Sequence, residues 1–161
     1  MTDFSPRPSG GQRFRPERGV PRGVPGGVIA SGAMNPEAQG TEYPPVPFRI
    51  APERVAAFRA VFGQADGIPP TYLTVAEFVL LPQVIEDPTL GLDFSRVVHG
   101  TQEYSFARPL REGETLWVHM RIDSVRVRSG IGFLTVDMAF RDEDGADVAS
   151  ARSTMIERAA G

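Results

Sequence analysis

Two histidines, His99 and His119, are the only imidazoles in a chain of 161 residues. Proton transfer near neutral pH therefore falls to them or to a carboxyl group whose pKa burial has raised. His99 stands in Val98-His99-Gly100-Thr101-Gln102-Glu103-Tyr104, with Gln102 close behind it. Glu77 is the candidate acid. It sits in Leu73-Thr74-Val75-Ala76-Glu77-Phe78-Val79-Leu80-Leu81, and a carboxyl inside an apolar helix loses the solvation of its charged form, which raises its pKa. A carboxylate neutralised by an Arg at an interface is the blander reading of the same residue. Asp66, next to Gly67, reads as a turn residue. The chain has no cysteine, which removes thiolate nucleophiles, disulfides and Cys-based metal sites. All 17 basic residues are Arg, so no lysine can form a Schiff base.

These residues need a frame. The length suits one domain, and no apolar run approaches the roughly 18 residues of a membrane-spanning helix. No basic start followed by an apolar stretch suggests a secretory signal, so a cytoplasmic setting is expected. A net charge of -3 gives no general reason to bind nucleic acid. Residues 1-40 hold six Pro and eight Gly with little apolar periodicity, and such a segment cannot offset its ordering entropy by burial, so a disordered tail is expected there. Met34 stands at the point where a domain pattern begins, which leaves residues 1-33 open to being a mis-assigned start.

The folded body is expected over residues 41-158. Glu42 to Ile50 is extended, because Pro44, Pro45 and Pro47 fix their own φ and exclude the helical region for their predecessors. Ala51 to Gly63 reads as a helix opened by Pro52 and closed by Gly63. A second helix, capped by Thr71 or Thr74, carries Val75, Phe78, Val79, Leu81 and Val84 on nearly every side and must be buried, with Pro82 bending or breaking it. Gln102 to Phe106, Leu116 to Val127, Phe133 to Phe140 and Val148 to Ile156 alternate with period two and read as strands. Turn residues at Arg111-Glu112-Gly113-Glu114, Arg128-Ser129-Gly130 and Asp142-Glu143-Asp144-Gly145 join them as an antiparallel meander. The order implies an α+β hot-dog architecture, an antiparallel sheet wrapped around a central helix.

Three blocks carry a family resemblance: Gly40-Thr41-Glu42-Tyr43-Pro44-Pro45-Val46, then Ile68-Pro69-Pro70-Thr71-Tyr72-Leu73, then Val98 to Tyr104 followed by Arg108-Pro109-Leu110-Arg111-Glu112-Gly113-Glu114-Thr115-Leu116. In order and spacing they resemble the MaoC-like dehydratase N-terminal (hot-dog) family, over about residues 35 to 158. The chain is similar to the non-catalytic subunits of heterodimeric (3R)-hydroxyacyl-thioester dehydratases. Active members carry Asp-x-Asn-Pro-x-His before the hot-dog helix; here Asp66-Gly67-Ile68-Pro69-Pro70-Thr71 has Ile68 for Asn and Thr71 for His, so no catalytic residue is assigned.

The resemblance implies acyl-thioester contacts from Thr71, Tyr72 and Thr74 at the helix start, facing a channel mouth, and from His99 and Gln102 on a strand lining the channel. Their blander readings are capping, packing and hydrogen bonding within the sheet. The Arg121, Arg126 and Arg128 side chains could meet the phosphates of a carrier, although a solvated strand face is the simpler account. The resemblance further implies an acyl-CoA or acyl-carrier-protein substrate, no metal or organic cofactor, and a dimer with a catalytic hot-dog subunit. A stand-alone acyl-binding homodimer and a thioesterase using Glu77 remain as alternatives.

Overall fold

The structure, a computed structural model, describes residues 34-63 and 66-159; the expectations for residues 1-33 lie outside them. Residues 34-40, assigned to the tail by composition, belong to the folded body. Met34 and Ala38 are buried, the Asn35 amide N-H donates to the Leu90 carbonyl, and the Asn35 side chain accepts from the Glu37 N-H to open a 3-10 turn over Pro36–Ala38.

Five strands form one sheet: β1 (Glu42–Arg49), β2 (Val97–Phe106), β3 (Thr115–Arg128), β4 (Ile131–Arg141) and β5 (Asp147–Glu157). Every pairing is antiparallel and the spatial order is β1-β3-β4-β5-β2. β3, β4 and β5 are the expected meander. β1 and β2 close the two edges, β2 by crossing over to lie beside β5. The alternation does its predicted work, since Leu116, Val118, Met120 and Ile122 of β3 and Leu134, Val136, Met138 and Phe140 of β4 are all buried on one face of the sheet.

Helix α1 (Pro52–Phe62) has Pro52 in its first turn and ends at Gly63, whose φ of 65° is the left-handed cap conformation. The single buried helix read from the sequence is two short ones, α2 (Leu73–Glu77) and α3 (Leu81–Ile85). Pro82 explains the break. It has no N-H to give the Phe78 carbonyl, and its ring would collide with that carbonyl, so residues 78-80 tighten into turns with Val79 bonded to Ala76 and Leu80 to Glu77. The break swings Phe78 outward, 59% exposed, so the segment is not apolar-buried on every side. Neither Thr71 nor Thr74 caps a helix start. Leu73, Ala76, Leu80 and Val84 pack into one cluster with the buried faces of β3 and β4. The result is an α+β hot-dog fold. No helix among the described residues is long and apolar enough to cross a membrane.

Candidate functional site

The hydrogen bonds of the site begin at a carboxyl. Glu77 lies at the C-terminal end of α2 and is only 8% exposed. Thr74, three residues earlier, points from the same helical face. Across from them runs β2, where Gln102 and Tyr104, two residues apart, share one face of the strand. The Gln102 amide Nε2 donates to Glu77 Oε1 at 2.9 Å, and the Tyr104 phenol and Thr74 Oγ1 are 2.6 Å apart.

The chain of bonds continues along the sheet. Gln102 Oε1 lies 3.1 Å from His99 Nε2, and Ser153 Oγ of β5 lies 3.0 Å from the same nitrogen. An amide oxygen only accepts, so with the Gln102 amide turned toward Glu77, Nε2 of His99 carries a proton. Nδ1 has no hydrogen-bond partner among the described residues. The register shift between His99 and Thr101, around Gly100, brings the imidazole over Ser153 instead of leaving it one position out of phase.

Burial pushes the Glu77 carboxyl from its ordinary 4.5 up to about 7, even though hydrogen bonds from Tyr104 and Gln102 favour the ionised form. Burial also raises the Tyr104 phenol to about 12, with the Glu77 charge adding to the effect. Among the described residues no Arg is bonded to Glu77, and the side chains bonded to it are neutral. A buried carboxyl without a cation rests near its midpoint at neutral pH and can give or take a proton there.

The structure therefore joins Thr74, Glu77, His99 and Gln102, and adds Tyr104 and Ser153, which the sequence reading did not single out. Tyr104 was signalled by its two-residue offset from Gln102. Ser153 had no local signal, since its place beside His99 follows from the crossover of β2 to β5.

The other candidates stand apart. Thr71 is solvent-exposed. Tyr72 is core rather than channel mouth: its ring packs edge-on against Phe58 at 5.3 Å and near Phe48 at 6.1 Å, and its buried hydroxyl has no partner among the described residues. His119 lies on the other face of the sheet, with burial, then Arg141, lowering its pKa. Arg121, Arg126 and Arg128 are exposed along β3. Among the described residues no cluster of His, Asp and Glu could hold a metal ion.

The geometry has recognisable relatives. A UPF0336 protein of Streptomyces coelicolor is 34% identical over 146 residues, covering 80% of this chain and 97% of that one. One from Saccharopolyspora erythraea is 34% identical over 137 residues, covering 74% and 88%. Among solved structures, the C-terminally truncated HadBC (3R-hydroxyacyl-ACP dehydratase) complex from Mycobacterium tuberculosis aligns with a TM-score of 0.64 at 21% identity, over 74% of this chain and 96% of that one. A MaoC-like dehydratase aligns at 0.63 and 18% identity, over 76% of this chain and 43% of that one. These two similarities establish the fold. The model of the FAS1-like, dehydratase domain region matches residues 53–151, and the chain belongs to that family.

Proposed function

We propose that this chain is the acyl-thioester-binding subunit of a (3R)-hydroxyacyl-thioester dehydratase, and that a second hot-dog subunit supplies the catalytic Asp and His. One observation carries the reading. The chain entering α2 presents Ile68, Pro69, Pro70 and an exposed Thr71, so no imidazole stands where the resemblance calls for proton abstraction beside a thioester. What supports the binding role is the retained body: the sheet, the apolar helices and a polar seam between α2 and β2. The HadBC structure, a complex of a 3R-hydroxyacyl-ACP dehydratase, is in keeping with a two-subunit enzyme. The acyl carrier, coenzyme A or an acyl carrier protein, belongs to the same proposal, as does a cytoplasmic site of action.

A second reading has its own support. Glu77, buried and held at about 7, suits a carboxyl acting as acid or base, as a hot-dog thioesterase would use it. One experiment separates the two. The chain is assayed alone and co-purified with a hot-dog subunit that carries Asp-x-Asn-Pro-x-His. Hydration of a trans-2-enoyl thioester is expected only from the pair, or more than about tenfold above the catalytic subunit alone. Thioester hydrolysis by the isolated chain, abolished by Glu77→Gln, would instead establish the thioesterase.

A further inference from the structure

We propose that the acyl site of this chain is proton-linked: the acyl chain binds against α2 and β2 in the state where Glu77 is neutral, so binding takes up one proton. The proposal rests on the acyl-binding reading above and adds to it how that site is regulated.

The argument starts from where Glu77 lies. β2 is the last strand of the sheet, and α2 meets its face through the Thr74 to Tyr104 and Gln102 to Glu77 hydrogen bonds. Phe106 continues the face of β2 that carries Gln102 and Tyr104; its ring lies 6.3 Å from that of Tyr104 and it is 37% exposed. Glu77 retains 8% of its surface in solvent, and an acyl chain laid along Tyr104 and Phe106 toward α2 would remove what water is left. An ionised carboxylate tolerates that loss only beside a cation.

The groups that bear on Glu77 are few. From α2 comes Thr74, which is not titratable. From β2 come Gln102 and Tyr104, and behind Gln102 stands His99; from β5 comes Ser153. Tyr104, raised to about 12, stays a neutral phenol, and among the described residues no Arg is bonded to the carboxyl. His99 is separated from Glu77 by the full length of the Gln102 amide. Covering the seam therefore favours the protonated carboxyl over the ionised one, and the two equilibria are linked.

The proton has a defined place to go. A neutral Glu77 carries an O-H that donates to an acceptor. The Gln102 amide supplies one by turning over, so that its oxygen faces Glu77 and its Nε2 faces His99. Gln102 then donates to His99 Nε2, which must offer its lone pair, and the imidazole proton moves to Nδ1. Acyl binding is thereby read out at His99, on the exposed edge of the sheet.

The test uses the full chain at a concentration where its oligomeric state is constant, and dodecanoyl-pantetheine, which carries no titrating group between pH 6 and 9. Calorimetry in buffers of different ionisation enthalpy is expected to show uptake approaching one proton at pH 8. The dissociation constant is expected to weaken about tenfold from pH 7 to pH 8.5. Glu77→Gln, neutral at every pH, should bind with a flat profile, and ligand at pH 8 should shift the His99 15N resonances toward the Nδ1-H form. A wild-type affinity independent of pH with no proton uptake, or the same pH dependence in Glu77→Gln, overturns the proton linkage while leaving acyl binding intact. Failure to bind at any pH overturns the acyl-binding reading and this proposal with it.

Discussion

The chemistry of this molecule gathers on one carboxyl, and its environment makes a stability prediction independent of any ligand. Glu77 holds its proton up to about 7 in the folded chain against an ordinary 4.5. Between those values the folded state binds more protons than the unfolded state, so stability falls as pH rises through the window and is fully retained below it. The shift corresponds to at most about 3 kcal/mol. Glu77→Gln keeps the shape and a hydrogen bond with Gln102 but no titration, so it should unfold at a higher urea midpoint than wild type at pH 8 and lose that advantage near pH 5. Parallel midpoint profiles for the two proteins would show that Glu77 ionises without cost. Part of this cluster was legible in the sequence: Glu77 by its place in an apolar helix, and Thr74, His99 and Gln102 through the family resemblance, whereas Tyr104 was marked only by its two-residue offset from Gln102. Tyr72 misled because a tyrosine at a helix start fits a channel mouth as well as a core, and only the positions of Phe48 and Phe58 decide between them.

At the scale of elements, the strands were plain because one face of each is buried and the alternation records it. Their order was not, since the pairing of β2 with β5 and of β1 with β3 depends on long connections that leave no periodic trace. The irregularity at Gly100 was hidden for the same reason, yet it positions His99. A Cβ at residue 100 would stand 3.1 Å from the Thr154 carbonyl oxygen and 3.2 Å from Ile156 Cδ1, tighter than ordinary packing on a backbone atom that cannot give way alone. Gly100→Val should therefore destabilise the chain by about 1 to 3 kcal/mol, read as a lower denaturant midpoint. It should also disturb the His99 to Ser153 contact, seen as a displaced His99 side-chain resonance. A variant with wild-type midpoint and an unchanged His99 signal would mean that β2 shifts freely over β5.

On the scale of the whole molecule the two edges of the sheet differ in what they can join. β1 carries Pro44, Pro45 and Pro47, each missing the N-H that a further strand would need, and its pairing with β3 is already interrupted between Tyr43 and Val46. That edge is blunted against extension. β2 has ten residues, none of them proline, and most are solvent-exposed. A long strand whose outer edge is unpaired, with exposed Val98 and Phe106, is the form of edge that recruits another strand. The Glu77 seam lies against this same strand, so a subunit docked here would also border the proposed acyl site. We therefore expect the purified chain to associate through β2, by itself or with a catalytic hot-dog partner. Val98→Lys combined with Phe106→Lys places charge at two positions already facing solvent, where the fold of the single chain should tolerate it. Light scattering should show the wild type above its 17.5 kDa chain mass and the double variant at that mass, with the thermal midpoint of the separated chain little changed. Retention of the wild-type mass by the double variant would move the interface elsewhere, and with it the subunit that borders the site at Glu77.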